Sequence, residues 1–134
     1  MAAGAVAGGG EAGSLGARFV EALAAKDHAR LVSLLHPEVE FRGITPGRCW
    51  EASTATQVLD EVLRCWFEDS DQIDEVLQVE TTRIADRERV GYRLAVSNPD
   101  GRFLVEQQAY YETSGGLIIW MRAMCSGFRP VADG

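Results

Sequence analysis

Glu106 and Gln108 are two residues apart in a segment that alternates in the manner of a strand, residues 102–112. Their side chains therefore share one face. If apolar groups cover that face, desolvation would favour the protonated form of Glu106 and suit it to general acid or base work. In the alternative, Glu106 is solvated or paired with Arg93 or Arg122 on a neighbouring strand. A bulge or a slip of one residue would exchange the two faces.

Arginine and tryptophan offer a second kind of site. Arg42 and Arg48 flank the loop of residues 43–47, and Arg48 could clamp a carboxylate or a polarised carbonyl. A solvated loop arginine is the alternative. Trp66 could form the wall of a pocket for a flat apolar ligand, or fill the core. The three cysteines and two histidines show no metal-ligand spacing, so we expect neither a metal nor a cofactor.

The charge of the chain disfavours several classes of partner. Thirteen basic and 20 acidic residues give a formal net charge of −7. Nucleic acids and anionic membranes both favour a basic face, so we expect neither as a partner. No apolar run is long enough for a transmembrane helix, and the odd cysteine count is typical of a reducing, cytoplasmic location. Residues 1–13 are rich in Ala and Gly and are predicted to be a flexible lead-in, followed by one domain over residues 14–134.

Apolar spacing predicts three helices in the first half of the chain. The first covers about residues 14–25, and the second begins after Asp27 as N-cap and ends before Pro37. A short strand follows around residues 39–41. The third helix begins near Thr54, which forms a capping-box pattern with Gln57, and continues to Trp66.

The second half changes to a period of two residues. Strands are predicted over residues 73–84, 88–97, 102–112 and 117–126, joined by short turns as an antiparallel meander. The predicted fold class is therefore α+β, with three N-terminal helices packed on a strongly curved antiparallel sheet. Both faces of the last strand are largely apolar. One would line the core or a pocket, and the other suits a homodimer contact through the outer face of the sheet.

The order of these elements resembles the nuclear transport factor 2-like superfamily. This cone-shaped fold is shared by ketosteroid isomerases, SnoaL-like polyketide cyclases and limonene epoxide hydrolases. Residues 18–21, 36–41 and 116–123 carry the resemblance, which covers about residues 15–131. The resemblance implies a deep, mostly apolar pocket at the open end of the sheet. Because this fold hosts many unrelated functions, the likeness is specific for the fold and weak for any one activity.

The resemblance also assigns expected positions. It places Met121 and Cys125 on the pocket face, and counting back from Met121 places Leu104, Glu106 and Gln108 there too. Phe19 stands where ketosteroid isomerases carry a tyrosine donor, residues 41–43 stand where they carry the general base, and Gln108 matches their protonated carboxylic donor. The strict isomerase residues are thus not matched, and neither is the Asp-Arg-Asp constellation of the epoxide hydrolases.

We therefore expect a small-molecule pocket protein that resembles SnoaL-like cyclases and isomerases. It would act by acid/base chemistry on an apolar, carbonyl-containing compound. The expected catalytic residues are Glu106 and Gln108. The expected substrate-binding residues are Phe19, Phe41, Arg48, Trp66, Leu104, Tyr110, Met121 and Cys125. A non-catalytic ligand-binding module and a dimeric protein-interaction domain are the alternatives.

Overall fold

Two short helices open the described part of the chain, which in this computed structural model is residues 14–131. Ser14 Oγ accepts a hydrogen bond from the Ala17 N–H and begins α1, Leu15–Ala24. The Asp27 carboxylate accepts from the Arg30 N–H and begins α2, His28–Leu34. Both helices and the Asp27 cap are confirmed. The predicted lead-in, residues 1–13, lies outside the described residues.

The third helix, α3, is also confirmed and contains an unpredicted widened turn. It consists of Ala55–Gln57, a π-helical turn over Val58–Leu63, and Arg64–Trp66. Thr54 Oγ1 accepts from the Gln57 N–H at 3.1 Å. The Gln57 side chain returns to accept from the Ser53 N–H at 3.0 Å, one residue before the cap.

The strands form a single curved, unclosed sheet beside these helices. In chain order they are β1 Leu35–Thr45, β2 Arg48–Ala52, β3 Gln72–Ile84, β4 Arg87–Asn98, β5 Gly101–Ser114, β6 Leu117–Cys125 and β7 Arg129–Pro130. The order across the sheet is β2-β1-β6-β5-β4-β3, and β7 pairs with β5. The α+β class is confirmed. The sheet is mixed rather than purely antiparallel, because β1 and β6 run parallel.

The helices cover one face of the sheet, the inner face, and the other is the outer face. The core lies between the helices and the inner face, and its largest fully buried side chains include Phe41, Leu31, Leu94 and Met121. Two glycines allow the backbone to pack closely against aromatic side chains of this core. A Cβ on Gly43 would lie 2.8 Å from the Trp66 ring, and one on Gly16 would lie 2.9 Å from the Tyr111 hydroxyl.

A β-bulge in β6 decides which residues of β5 face inward. Thr113 pairs with Ile118, but Glu112 pairs with Trp120, so Ile119 is an extra residue in β6. Beyond the bulge, Tyr111 is opposite Met121. In a regular ladder, Tyr110 would be opposite Met121. Because of the bulge, every residue of β5 before Thr113 lies on the opposite face from the one that a regular ladder would give it.

Candidate functional site

The structure places Glu106 and Gln108 on the outer face. The buried residues of β5 are Val105, Gln107, Ala109 and Tyr111. Gln107 pairs with Cys125 and Tyr111 with Met121, which are the two β6 residues expected on the pocket face. The expectation that Leu104, Glu106 and Gln108 share that face is therefore wrong, and Tyr110 also lies on the outer face. The physical reason is the extra residue Ile119, which shifts the register by one.

The surroundings of Glu106 match the alternative stated for it. Its carboxylate accepts from Arg93 Nε at 3.4 Å, and its side chain is 45% exposed. Its backbone N–H donates to Ser126 Oγ at 2.9 Å. Glu106 is thus half of a solvent-accessible ion pair. A role for Glu106 in catalysis stays a prediction.

A groove on the outer face nevertheless brings four of the expected site residues together. Its volume is about 540 Å³. Glu106, Gln108, Tyr110 and Cys125 line it. The other lining residues are Ile44, Arg122, Ala123, Met124 and Ser126. We call this the outer groove. It is open, and two of its apolar lining residues, Ile44 and Met124, are 48% and 61% exposed.

Five of the expected ligand-binding residues lie in the core. Phe19, Phe41, Trp66, Met121 and Cys125 are all buried, and the Phe41 and Trp66 rings are 6.1 Å apart. They pack in one hydrophobic cluster between the helices and the inner face. Their side chains thus fill the space that the resemblance assigned to a pocket. Ligand binding by any of them stays a prediction.

A buried polar pair interrupts this core. The Tyr92 hydroxyl donates to Gln107 Oε1 at 2.5 Å, and the two residues are 4% and 1% exposed. Burial is the main cause that raises the pKa of Tyr92 above its usual range, and the nearby Cys125 raises that pKa further. The pair is therefore a neutral phenol and a neutral amide, both shielded from bulk solvent.

The amide of Gln107 has an unused donor. Its Nε2 is buried and has no hydrogen-bond partner within residues 14–131. A buried polar group left unpaired costs about 1–3 kcal/mol. Sequence reasoning missed Gln107, although a glutamine between Val105 and Ala109 on an otherwise apolar strand face was a visible signal. Gln107 was missed because the wrong face of β5 was expected to line the pocket.

A second groove opens at the end of the sheet beside this core. It has a volume of about 350 Å³, and we call it the end groove. Trp50, Trp66 and Phe128 are its aromatic lining residues, and Trp50 meets Trp66 edge-on at 6.2 Å. Cys125, the cross-strand partner of Gln107, also lines it. The Nε1 of Trp66 is a second buried donor with no partner in the described chain.

Hydrogen bonds to Asp71 and from Lys26 fix the polar side of the end groove. The Asp71 carboxylate accepts from Asn98 Nδ2 and from the Glu68 N–H, both at 2.9 Å. The Lys26 ammonium donates to the backbone oxygen of Glu68 at 2.6 Å and to that of Asp71. Asp71 is 8% exposed and lines the groove.

Arg48 and Leu104 lie apart from both grooves. Arg48 places its guanidinium 3.6 Å from the centre of the Trp50 ring, a cation–π contact at the rim of the sheet. Leu104 is opposite Ala95 on the outer face. Neither residue lines the outer groove or the end groove. Their expected roles in binding stay predictions.

The described residues contain neither a helix that could cross a membrane nor a cluster of metal ligands. No helix among residues 14–131 combines the length and apolarity needed to cross a bilayer. No group of three or more His, Cys, Asp and Glu side chains in the same residues could hold a metal ion.

Comparison with known proteins identifies the fold. No family model matches the chain, and no curated protein is significantly similar to it in sequence. Solved structures do match. A proposed isomerase from Rhodopseudomonas palustris superposes with a TM-score of 0.66 at 16% identity, over 82% of this chain and 87% of the other.

Two further structures extend the match. A proposed polyketide cyclase from Xanthomonas campestris gives a TM-score of 0.64 at 15% identity, over 82% of this chain and 86% of the other. A nuclear transport factor 2-like protein from Burkholderia thailandensis gives 0.63 at 14% identity, over 84% and 88%. The chain therefore has the nuclear transport factor 2-like fold. Identities this low leave its activity to be argued from its own residues.

Proposed function

We propose that this protein binds an apolar small molecule that carries a carbonyl group, with Gln107 Nε2 as the donor to the carbonyl oxygen. One observation carries the proposal: a buried amide holds its oxygen on Tyr92 and leaves its N–H without an acceptor. A ligand acceptor would satisfy that donor, and the surrounding apolar side chains would bury the rest of the ligand.

The end groove is the proposed route to Gln107. Cys125 lines the groove and is the direct cross-strand neighbour of Gln107, so the two are adjacent on the inner face. Trp66, another residue with an orphaned buried donor, lines the same groove. A flat ligand that contacts the Trp50 and Trp66 rings would lie where aromatic surface and unused donors coincide. Binding requires side chains of the filled core to shift.

This arrangement favours binding or carbonyl polarisation over proton transfer by a carboxylate. The buried polar or charged residues in the described chain are Asp71 and Gln107. The Asp71 carboxylate already accepts hydrogen bonds from the Glu68 N–H and from Asn98 Nδ2. Polarisation by the Tyr92–Gln107 pair would stabilise negative charge on a carbonyl oxygen.

Acid/base chemistry by Glu106 is the second candidate function. The observation that favours it is the outer groove, where Glu106, Gln108, Tyr110 and Arg122 face one cavity. There Glu106 would act as the proton shuttle, and Gln108 or Arg122 would orient the substrate carbonyl. The two candidates place the ligand on opposite faces of β5, so one experiment separates them.

The test compares two ligands that differ only in the carbonyl, 1-tetralone and tetralin, by calorimetry or by quenching of tryptophan fluorescence. We expect the wild type to bind 1-tetralone about fivefold more tightly, the value of one neutral hydrogen bond. The Gln107→Met variant should lose this preference, since methionine keeps the volume and removes the amide.

The matched control is Gln108→Met, the same change one residue away on the outer face. It should keep the preference for 1-tetralone if Gln107 is the donor. Loss of the preference in Gln108→Met with no change in Gln107→Met would reject the inner site and favour the outer groove. Equal binding of both ligands by the wild type would reject carbonyl recognition itself.

A further inference from the structure

We propose that the ligand of the end groove carries a second acceptor oxygen, and that Trp66 Nε1 is the donor to it. This inference rests on the proposed function, in which Gln107 Nε2 is the donor to the carbonyl oxygen. It narrows the ligand to a flat ring ketone with a hydroxyl, ether or second carbonyl oxygen on the other side of the ring. Such a ligand satisfies two buried donors that have no partner within residues 14–131.

The two tryptophans that line the end groove differ in the state of their indole N–H. Trp50 Nε1 donates to Thr45 Oγ1 at 2.8 Å, and Thr45 lines the groove as well. Trp66 is 7% exposed, and its Nε1 is buried with no acceptor in the described chain. A buried indole N–H usually has a hydrogen-bond partner. Trp66 is therefore the place where a ligand can bring an acceptor that the groove does not supply.

The contact of Trp66 with β1 fixes the direction of its N–H. A Cβ on Gly43 would lie 2.8 Å from Cζ2 and Cη2 of the indole, so this edge of the ring lies against the inner face of the sheet. Nε1 and Cζ2 are both bonded to Cε2, so Nε1 belongs to the same long edge of the ring. The N–H therefore faces the inner surface of the sheet, which also carries Gln107.

Small residues separate the two donors across the sheet. Gly43, Ala123 and Ala109 are direct neighbours on β1, β6 and β5. Gln107 is two residues before Ala109, and its own neighbour on β6 is Cys125. Two strand spacings, about 10 Å, thus separate the strand under the indole ring from the strand of Gln107. This span suits a ligand of one or two rings with a hydrogen bond at each end.

The first test measures dissociation constants for 1-tetralone and 4-hydroxy-1-tetralone, which differ only in an oxygen across the ring from the carbonyl. The wild type should bind the hydroxyketone about fivefold more tightly, the value of one further neutral hydrogen bond. Trp66→Phe should lose this preference, because phenylalanine keeps a ring in the groove wall and removes the N–H. Both ligands are compared within one variant, so a general loss of packing affects them equally.

Trp50→Phe is the matched control, the same change in the other tryptophan of the groove. It should weaken the binding of both ketones by the same factor and keep the preference, because the Trp50 N–H is already used by Thr45. A Trp66→Phe variant that keeps the preference for the hydroxyketone, or a Trp50→Phe variant that loses it, would overturn the proposal.

Tetralin separates this inference from the proposed function. A wild type that prefers 1-tetralone to tetralin but binds the two ketones equally would reject the second oxygen and leave Gln107 as the carbonyl donor. A wild type that binds 1-tetralone and tetralin equally would reject the proposed function, and this inference with it.

The second test uses the wild type and does not depend on the folding of Trp66→Phe. The chain contains three tryptophans, so a ¹⁵N-labelled sample gives three indole N–H signals. Trp50→Phe and Trp120→Phe identify two of them, and the third belongs to Trp66. The Trp66 signal should move further downfield with 4-hydroxy-1-tetralone than with 1-tetralone, as its free donor gains an acceptor. Equal movement of the Trp66 signal with the two ketones would overturn the proposal.

Discussion

The two faces of the sheet differ in how their polar side chains are paired and in how far they are exposed to solvent. On the outer face, charged side chains pair with one another in contact with solvent, as Arg93 does with Glu106. On the inner face, two neutral groups, Tyr92 and Gln107, share one hydrogen bond in the buried core. A solvated ion pair contributes little to stability, whereas a buried polar group is costly unless it is satisfied. The difference indicates where an unused donor can recognise a ligand.

The largest expected contrast is between two methionines of β6. Met121 is 1% exposed and Met124 is 61% exposed. Met121→Ala should lower the free energy of unfolding by about 3 kcal/mol, because it removes buried surface and leaves a cavity. Met124→Ala should change that free energy by less than about 0.5 kcal/mol. Urea unfolding at low protein concentration measures both, and similar losses would contradict the assignment of faces.

A second contrast uses two glycines. A Cβ at Gly43 would press on the buried Trp66 ring at 2.8 Å, whereas one at Gly91 would meet the flexible end of Arg89 at 2.9 Å. Gly43→Ala should cost about 1–3 kcal/mol through overpacking. Gly91→Ala should cost much less, since the guanidinium can move. The same unfolding experiment would disprove this reasoning if Gly91→Ala were the more damaging change.

These contrasts also show what the sequence could and could not predict. Apolar spacing and caps located the helices, since Asp27 and Thr54 act locally. The face of Glu106 could not be predicted in the same way, because it depends on one extra residue, Ile119, in a neighbouring strand. Gln107 and Asp71 were missed for the related reason that tertiary packing, not local sequence, buries them.

A smaller effect is expected from alkaline pH. Burial raises the pKa of both Tyr92 and Tyr111 above the value of about 10 for an unfolded tyrosine. A raised pKa means that the stabilisation is complete below about pH 10 and is lost as the pH rises above it. The loss should reach up to about 1.4 kcal/mol per pH unit for each phenol.

Substitution separates this effect from general alkaline unfolding. Tyr92→Phe should reduce the slope of stability against pH above about pH 10, whereas Tyr110→Phe, on the outer face, should leave the slope unchanged. Tyr92→Phe also leaves Gln107 Oε1 without its donor, so it should cost about 1–2 kcal/mol at neutral pH. Identical pH profiles for the wild type and Tyr92→Phe would show that Tyr92 ionises freely.

The side-chain amide signals of Gln107 and Gln108 offer the most direct test of the central claim. They can be assigned in a ¹⁵N-labelled sample by comparison with the two methionine variants and followed during addition of 1-tetralone. The inner site predicts that the Gln107 N–H signal moves downfield as its free donor gains an acceptor, while the Gln108 signal stays in place. Movement of Gln108 with a stationary Gln107 would contradict the claim and place the ligand in the outer groove.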